Sequence, residues 1–128
     1  MTHITHAFSS FSVTDLEAAK KFYTDVLGVT VVEQTGMGLN LTLPGGGSGF
    51  IYQKADHAPA TYTALNFVVA DINAAVDELT AKGITFERYD GMNQDDKGIA
   101  RGIAAKMGPD IAWFKDPSGN ILSVLQEK

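Results

Sequence analysis

The chain has 128 residues, 45% hydrophobic and 20% charged, with no cysteine. That length and balance predict one compact soluble domain burying roughly two-thirds of its unfolded surface, and no run of about 18 apolar residues offers a membrane span. A net charge of −5 with scattered Lys and Arg argues against nucleic acid, the missing cysteines exclude disulfides and thiolate chemistry, and MTHITHAF lacks a charged or apolar leader, so a cytoplasmic location and a small-molecule ligand are expected.

The opening strand runs to Val13, with His6 two residues before Phe8 and on the same face by alternation. It stops at Asp15, a suitable N-cap, although Thr14 and Glu17 could instead form a capping box. Leu16, Ala19, Tyr23 and Val26 recur at helical spacing, and Gly28 suits the left-handed position beyond a helix end. Strands are predicted at about 29–34, 38–43 and 49–54. The PGGGSG stretch between the last two reads as a hairpin loop, since no Gly-Lys-Ser/Thr follows and no helix begins there. GMGLN at 36–40 lacks the third glycine of a dinucleotide fingerprint and leads into a strand.

The second half repeats the first. FVVADINAAVDELTAKGI (67–84) echoes FSVTDLEAAKKFYTDVLGV (11–29), aligning Asp71 with Asp15 and, after one gap, Gly83 with Gly28. Ile72, Ala75, Val76 and Leu79 form the apolar stripe of its helix, and strands are predicted at about 84–89, 110–115 and 121–126. Residues 90–110 join two strands through a Gly- and Asp-rich stretch far longer than the usual four to six residues. It reads as a lid hinged at Gly91, Gly98, Gly102 and Gly108 with Arg101 or Lys106 meeting an anionic ligand, or as a solvated loop or dimer contact. DPSGN then turns the last hairpin, and alternation sets Ser123 on the face opposite Leu122 and Val124. Trp113 faces away from Phe114 and either stacks on a planar ligand or fills the core.

The plan is βαβββ, twice. With FYTDVLG closing the first helix and WFKDPSGN before the last strand, it resembles the vicinal oxygen chelate superfamily, which includes glyoxalase I, bleomycin-resistance proteins and extradiol dioxygenases. The resemblance implies an α+β fold of two tandem modules, 1–58 and 59–128, in a single domain spanning 1–128. It further implies a curved mixed sheet around a cup, with the helices on the outer face. Catalytic members of that superfamily hold a divalent metal with a His seven residues before the first helix-capping Asp, its counterpart in the second module, an acid on the last strand of module one, and a Glu seven residues after the hairpin Asp. Here those places hold Phe8, Ala64, a strand without a carboxylate (GFIYQK) and Ser123.

Neither metal nor other cofactor is therefore expected, because a lone imidazole and a neutral hydroxyl do not make a divalent site. The resemblance implies a metal-independent binding protein of the glyoxalase and bleomycin-resistance type, carrying or sequestering a small, partly aromatic molecule. The alternative is a lyase, isomerase or dioxygenase-like enzyme on the same scaffold. The expected ligand contacts are His6, Phe8, Tyr52, Asn66, Trp113, Ser123 and Arg101. Unpaired sheet edges predict a homodimer.

Overall fold

Each half of the chain begins its helix in the same way, with an Asp carboxylate taking N–H groups that the helix leaves free. In the computed structural model, which describes residues 2–128, Asp15 accepts from the N–H of Glu17 and Ala18 at 3.0 and 3.2 Å, and Asp71 accepts from Ala74 at 3.2 Å. The cap of the first helix is thus Asp15 and not Thr14. Helix α1 spans Leu16–Lys21 and α2 spans Ile72–Ala81. Beyond α1 the chain widens into a π-helical segment, Phe22–Val26, where the Leu27 N–H reaches the Phe22 carbonyl at 3.3 Å. Phe22 and Tyr23 are adjacent and both buried, meeting edge to face at 5.3 Å. Gly28 and Gly83 then leave the helices with φ of +67° and +95°, where a Cβ would be strained.

The chain divides into two compact units, Met1–Pro59 and Ala60–Lys128, each with one four-stranded mixed sheet. The first contains β1 (Ser9–Val13), β2 (Thr30–Gln34), β3 (Gly38–Thr42) and β4 (Ser48–Gln53) in the order β1-β4-β3-β2. The second contains β5 (Thr63–Val68), β6 (Ala100–Arg101), β7 (Asp110–Lys115) and β8 (Ile121–Gln126) in the order β5-β8-β7-β6, and a short α3 (Gly102–Ala105) follows β6. In both, the opening and closing strands pair in parallel and the remaining pairs are antiparallel. The fold is α+β, built as tandem βαβββ modules.

One face of each sheet carries the core. Val13, Leu39, Leu41 and Ile51 are buried in the first unit together with Ala19, Phe22 and Tyr23 of the helical segment. Ala112, Phe114, Leu122 and Val124 are buried in the second together with Ile72, Val76 and Leu79 of α2. A glutamine at the end of each closing strand ties sheet to helix. The side-chain carbonyl of Gln53 accepts the Leu16 N–H at 3.1 Å, and that of Gln126 accepts the Ile72 N–H at 3.0 Å.

One sequence expectation changes here. Residues 84–89 are extended but are not a strand, since their tie to β7 is a bond from the Glu87 N–H to the Trp113 carbonyl at 2.8 Å, and β6 is supplied instead by Ala100–Arg101. The middle of the 90–110 segment is tied by its own bonds. The Gln94 side chain binds the Tyr89 N–H and the Glu87 and Gly98 carbonyls, and Asp95 accepts from the N–H of Lys97 and Ile99. Gly102 is needed for close approach, because a Cβ there would lie 2.3 Å from the Pro109 carbonyl oxygen.

The paired glutamines give a direct test. Ile72 is fully buried whereas the Gln53 bond lies at the surface, so water can replace the lost acceptor in only one unit. Gln126→Ala should cost about 1–2 kcal/mol and Gln53→Ala about 0.5 kcal/mol or less. Urea denaturation of the two variants measures the contrast.

Candidate functional site

The pairing register of the second unit sets three of the expected residues side by side on the face away from α2. Ser123 on β8 stands between Asn66 on β5 and Trp113 on β7. Ser123 is fully buried, and its hydroxyl donates to the Asn66 side-chain carbonyl at 2.5 Å. Its partner is thus a neighbouring strand and not open solvent. The amide oxygen of exposed Asn66 takes this bond, and its NH₂ has no part in it. Trp113 is buried and meets Tyr89 edge to face, with ring centroids 5.5 Å apart.

Tyr89 is the residue that the sequence reading missed. The 84–89 segment keeps the alternation of a strand beside β7: Phe86 meets Phe114 on the helix side at 5.7 Å, while Glu87 pairs with Lys115 at 3.4 Å and Tyr89 with Trp113 on the other side. That alternation in ITFERY was the available signal. Among the described residues, the Tyr89 hydroxyl is the buried side-chain polar atom without a hydrogen-bond partner. Burial pushes its pKa up and the Glu87 charge adds to the effect, so the phenol stays protonated at neutral pH.

In the first unit the face away from α1 carries Ser10, Ser12, Asn40, Phe50 and Tyr52 by register. Phe50 and Tyr52 stack at 6.3 Å, the Asn40 amide donates to the Gln34 side-chain carbonyl at 2.8 Å, and Ser12 shares a 2.6 Å hydrogen bond with the His57 ring. His6 and Phe8 do not extend this face as strand residues. Strand β1 begins at Ser9, leaving both in an irregular exposed segment where their rings stack on each other at 6.4 Å and His6 bonds Thr5 at 3.2 Å.

Arg101 is also placed differently from expectation. Its guanidinium binds Asp95 at 2.9 Å, Asp110 at 3.4 Å and the Asn73 side-chain carbonyl at 2.7 Å, so it fastens the loop and β7 to α2 and is not offered to an anion. A groove of about 390 Å³ does open beside α2, but it is rimmed by Asp77, Arg88, Asp96 and Lys97 with Lys97 already paired to Asp77.

The residues do not fit a divalent metal. Asn66 stands five before Asp71 and pairs with Ser123, and Ser10 stands five before Asp15 and pairs with Phe50, which makes Phe50 the repeat counterpart of Ser123. Counting three further along each strand reaches Gln126 and Gln53, the matched helix clamps, and supports that register. The positions that the resemblance assigns to metal donors therefore hold Phe8 and Phe50 in the first unit and Ala64 and Ser123 in the second. Among the described residues no three of His, Cys, Asp and Glu come together. No helix among them is long and apolar enough to cross a membrane.

Comparison with known proteins agrees with this architecture. A sequence model of the Glyoxalase/Bleomycin resistance protein/Dioxygenase superfamily matches residues 2–124. No curated protein sequence is significantly similar. Similar solved structures include TnmS3, an antibiotic binding protein from Streptomyces sp. CB03234, with a TM-score of 0.70 at 22% identity over 100% of both chains. A superfamily member from Sphaerobacter thermophilus matches with a TM-score of 0.70 at 24% identity over 97% of this chain and 98% of that one. FosX, a fosfomycin resistance protein from Listeria monocytogenes, matches with a TM-score of 0.71 at 12% identity over 98% of this chain and 94% of that one.

The structural role of Arg101 makes a pH prediction through Asp95. Partial burial raises the Asp95 pKa, but bonds from the Ile99 N–H, the Arg101 side chain and the Lys97 N–H, with the Arg101 charge, outweigh it and hold the pKa below the usual value. A lowered folded-state pKa contributes stability above the unfolded value, about 3.9, that is lost as pH falls through the folded one. Asp95→Asn should destabilise at pH 7 by about 1–2 kcal/mol, with the penalty shrinking below pH 4. Urea midpoints across pH 3–7 measure it.

Proposed function

The chain belongs to the Glyoxalase/Bleomycin resistance protein/Dioxygenase superfamily, and we propose that it acts there as a metal-independent binding protein for a small, partly aromatic molecule. The observation that carries this reading is the replacement of charged donors by aromatic and neutral polar side chains on the faces away from the helices. Phe50 and Tyr52 form a stacking surface in the first unit, and Asn66, Ser123 and Trp113 form a row of amide, hydroxyl and indole in the second. Each of these faces by itself suits a flat, weakly polar molecule, since rings gain by stacking and neutral hydrogen-bonding groups fix orientation without the desolvation cost of a buried charge. The antibiotic binding protein and the fosfomycin resistance protein with which it shares its fold make antibiotic-like molecules a sensible first screening set.

We also propose a homodimer. Val32 on edge strand β2 and Val68 on edge strand β5 are 55% and 59% exposed, and apolar edges are commonly covered by pairing. Light scattering at micromolar concentration should give twice the chain mass, and a strict monomer would overturn this.

Thermal melting with and without excess Ni²⁺, Zn²⁺ or Fe²⁺ tests the binding reading. A ligand specific to the folded state adds about 2.7 kcal/mol at 100 times its Kd, so occupancy is easily seen as a raised Tm. No rise is expected with any of the metals, and a rise is expected with a planar aromatic compound that binds. A clear metal-dependent rise would overturn the reading in favour of a metal-dependent enzyme.

A further inference from the structure

A buried hydroxyl without a partner is costly, and native structures rarely retain one without a use. The Tyr89 hydroxyl is such a group, and its ring packs on Trp113, which stands beside Ser123 and Asn66. All four residues lie in the second unit and on one face of its sheet. Two donors there take no part in the Ser123–Asn66 bond, the Asn66 amide NH₂ and the Tyr89 O–H, while the Asn66 carbonyl already takes the Ser123 hydroxyl on one of its two lone pairs. Among the described residues, the Lys115 ammonium of the same face is paired with the Glu87 carboxylate and so is less available to an anion.

We propose that Tyr89 is the ligand-binding residue by which this face selects a neutral, planar aromatic molecule carrying a carbonyl or similar uncharged acceptor. The inference rests on the binding-protein reading above and adds the ligand's class and the residue that recognises it. The ligand's ring lies against Trp113, and a small rotation of the half-buried Tyr89 ring turns its unbonded hydroxyl to the ligand's acceptor. The carboxylate of Glu87 two residues away disfavours an anionic acceptor, and burial together with that charge keeps the phenol a donor. A ligand without an acceptor would leave the hydroxyl as it is and gain only stacking.

Three naphthalenes of matched size test this: 2-acetylnaphthalene, 2-ethylnaphthalene and 2-naphthoate. Binding is read by quenching of Trp113, the chain's single tryptophan. In the unmodified protein the ketone should bind about fivefold tighter than the ethyl compound, the worth of one net hydrogen bond, and the carboxylate should bind weakest. Tyr89→Phe should abolish the ketone's advantage, leave the ethyl compound's affinity unchanged, and melt no lower than the parent, since the hydroxyl it removes has no partner. Equal binding of ketone and ethyl compound, or a preference that survives Tyr89→Phe, would overturn the role of Tyr89 while leaving the binding reading intact. Failure of all three to bind would overturn both.

Discussion

The fold depends on one arrangement made twice, a closing strand lying parallel beside the opening strand and holding the helix between them by its first N–H. Parallel strands cannot be joined by a tight turn, so each unit must spend a helix and two further strands before the chain returns to its own beginning. Once it returns, the register is set by the glutamine clamp and by the ladder itself. Gln53 and Gln126 occupy equivalent places although their surroundings share little sequence, and each brings an acceptor to a helix end that would otherwise lack one. A slip of one residue would carry Leu122 and Val124 off the core face and put Ser123 in their place.

That register explains why the faces away from the helices are free to diverge. The core residues are fixed by the need to fill space under the helices, and Phe114, Leu122 and Ile51 have no exposure at all. On the opposite face the same ladder tolerates Phe50 in one unit and Ser123 in the other at equivalent positions. Divergent chemistry on a conserved backbone plan is what separates fold from function here.

Much of this could be read from the sequence because the signals were local. The Asp caps, the positive-φ glycines at the helix ends and the DPSGN turn each involve residues within a few positions of one another, and Asp116 does receive the bonds of Ser118, Asn120 and Gly119 that such a turn requires. The failures were non-local. ITFERY has the alternation and side-chain facing of a strand, yet the outer edge of β7 is shared, taking one bond from Glu87 near Trp113 and the ladder of Ala100–Arg101 near its start. Arg101 looked like an anion receptor because its partners Asn73, Asp95 and Asp110 are spread over 37 residues of sequence. His6 was put on a strand that begins three residues later, since a run of mixed polar and apolar residues leaves the start of a strand undefined.

The electrostatics of the candidate face follow from the same packing. The chain as a whole is acidic, at −5, but on this face of the second unit Glu87 is matched by Lys115. A pair matched in this way gives little long-range attraction to charged molecules, and the proposed binding in the second unit would fall to short-range terms: ring on ring at Trp113, and donors on acceptors at Asn66 and Tyr89. Those terms weaken little with salt, whereas recognition of an anion by free Lys or Arg would weaken strongly. The second unit therefore combines a rigid, fully bonded framework, in which Ser123 and Asn66 hold each other, with one hydroxyl at Tyr89 that the framework leaves unbonded. That asymmetry between a satisfied scaffold and an unsatisfied donor is what the proposed binding role of Tyr89 rests on.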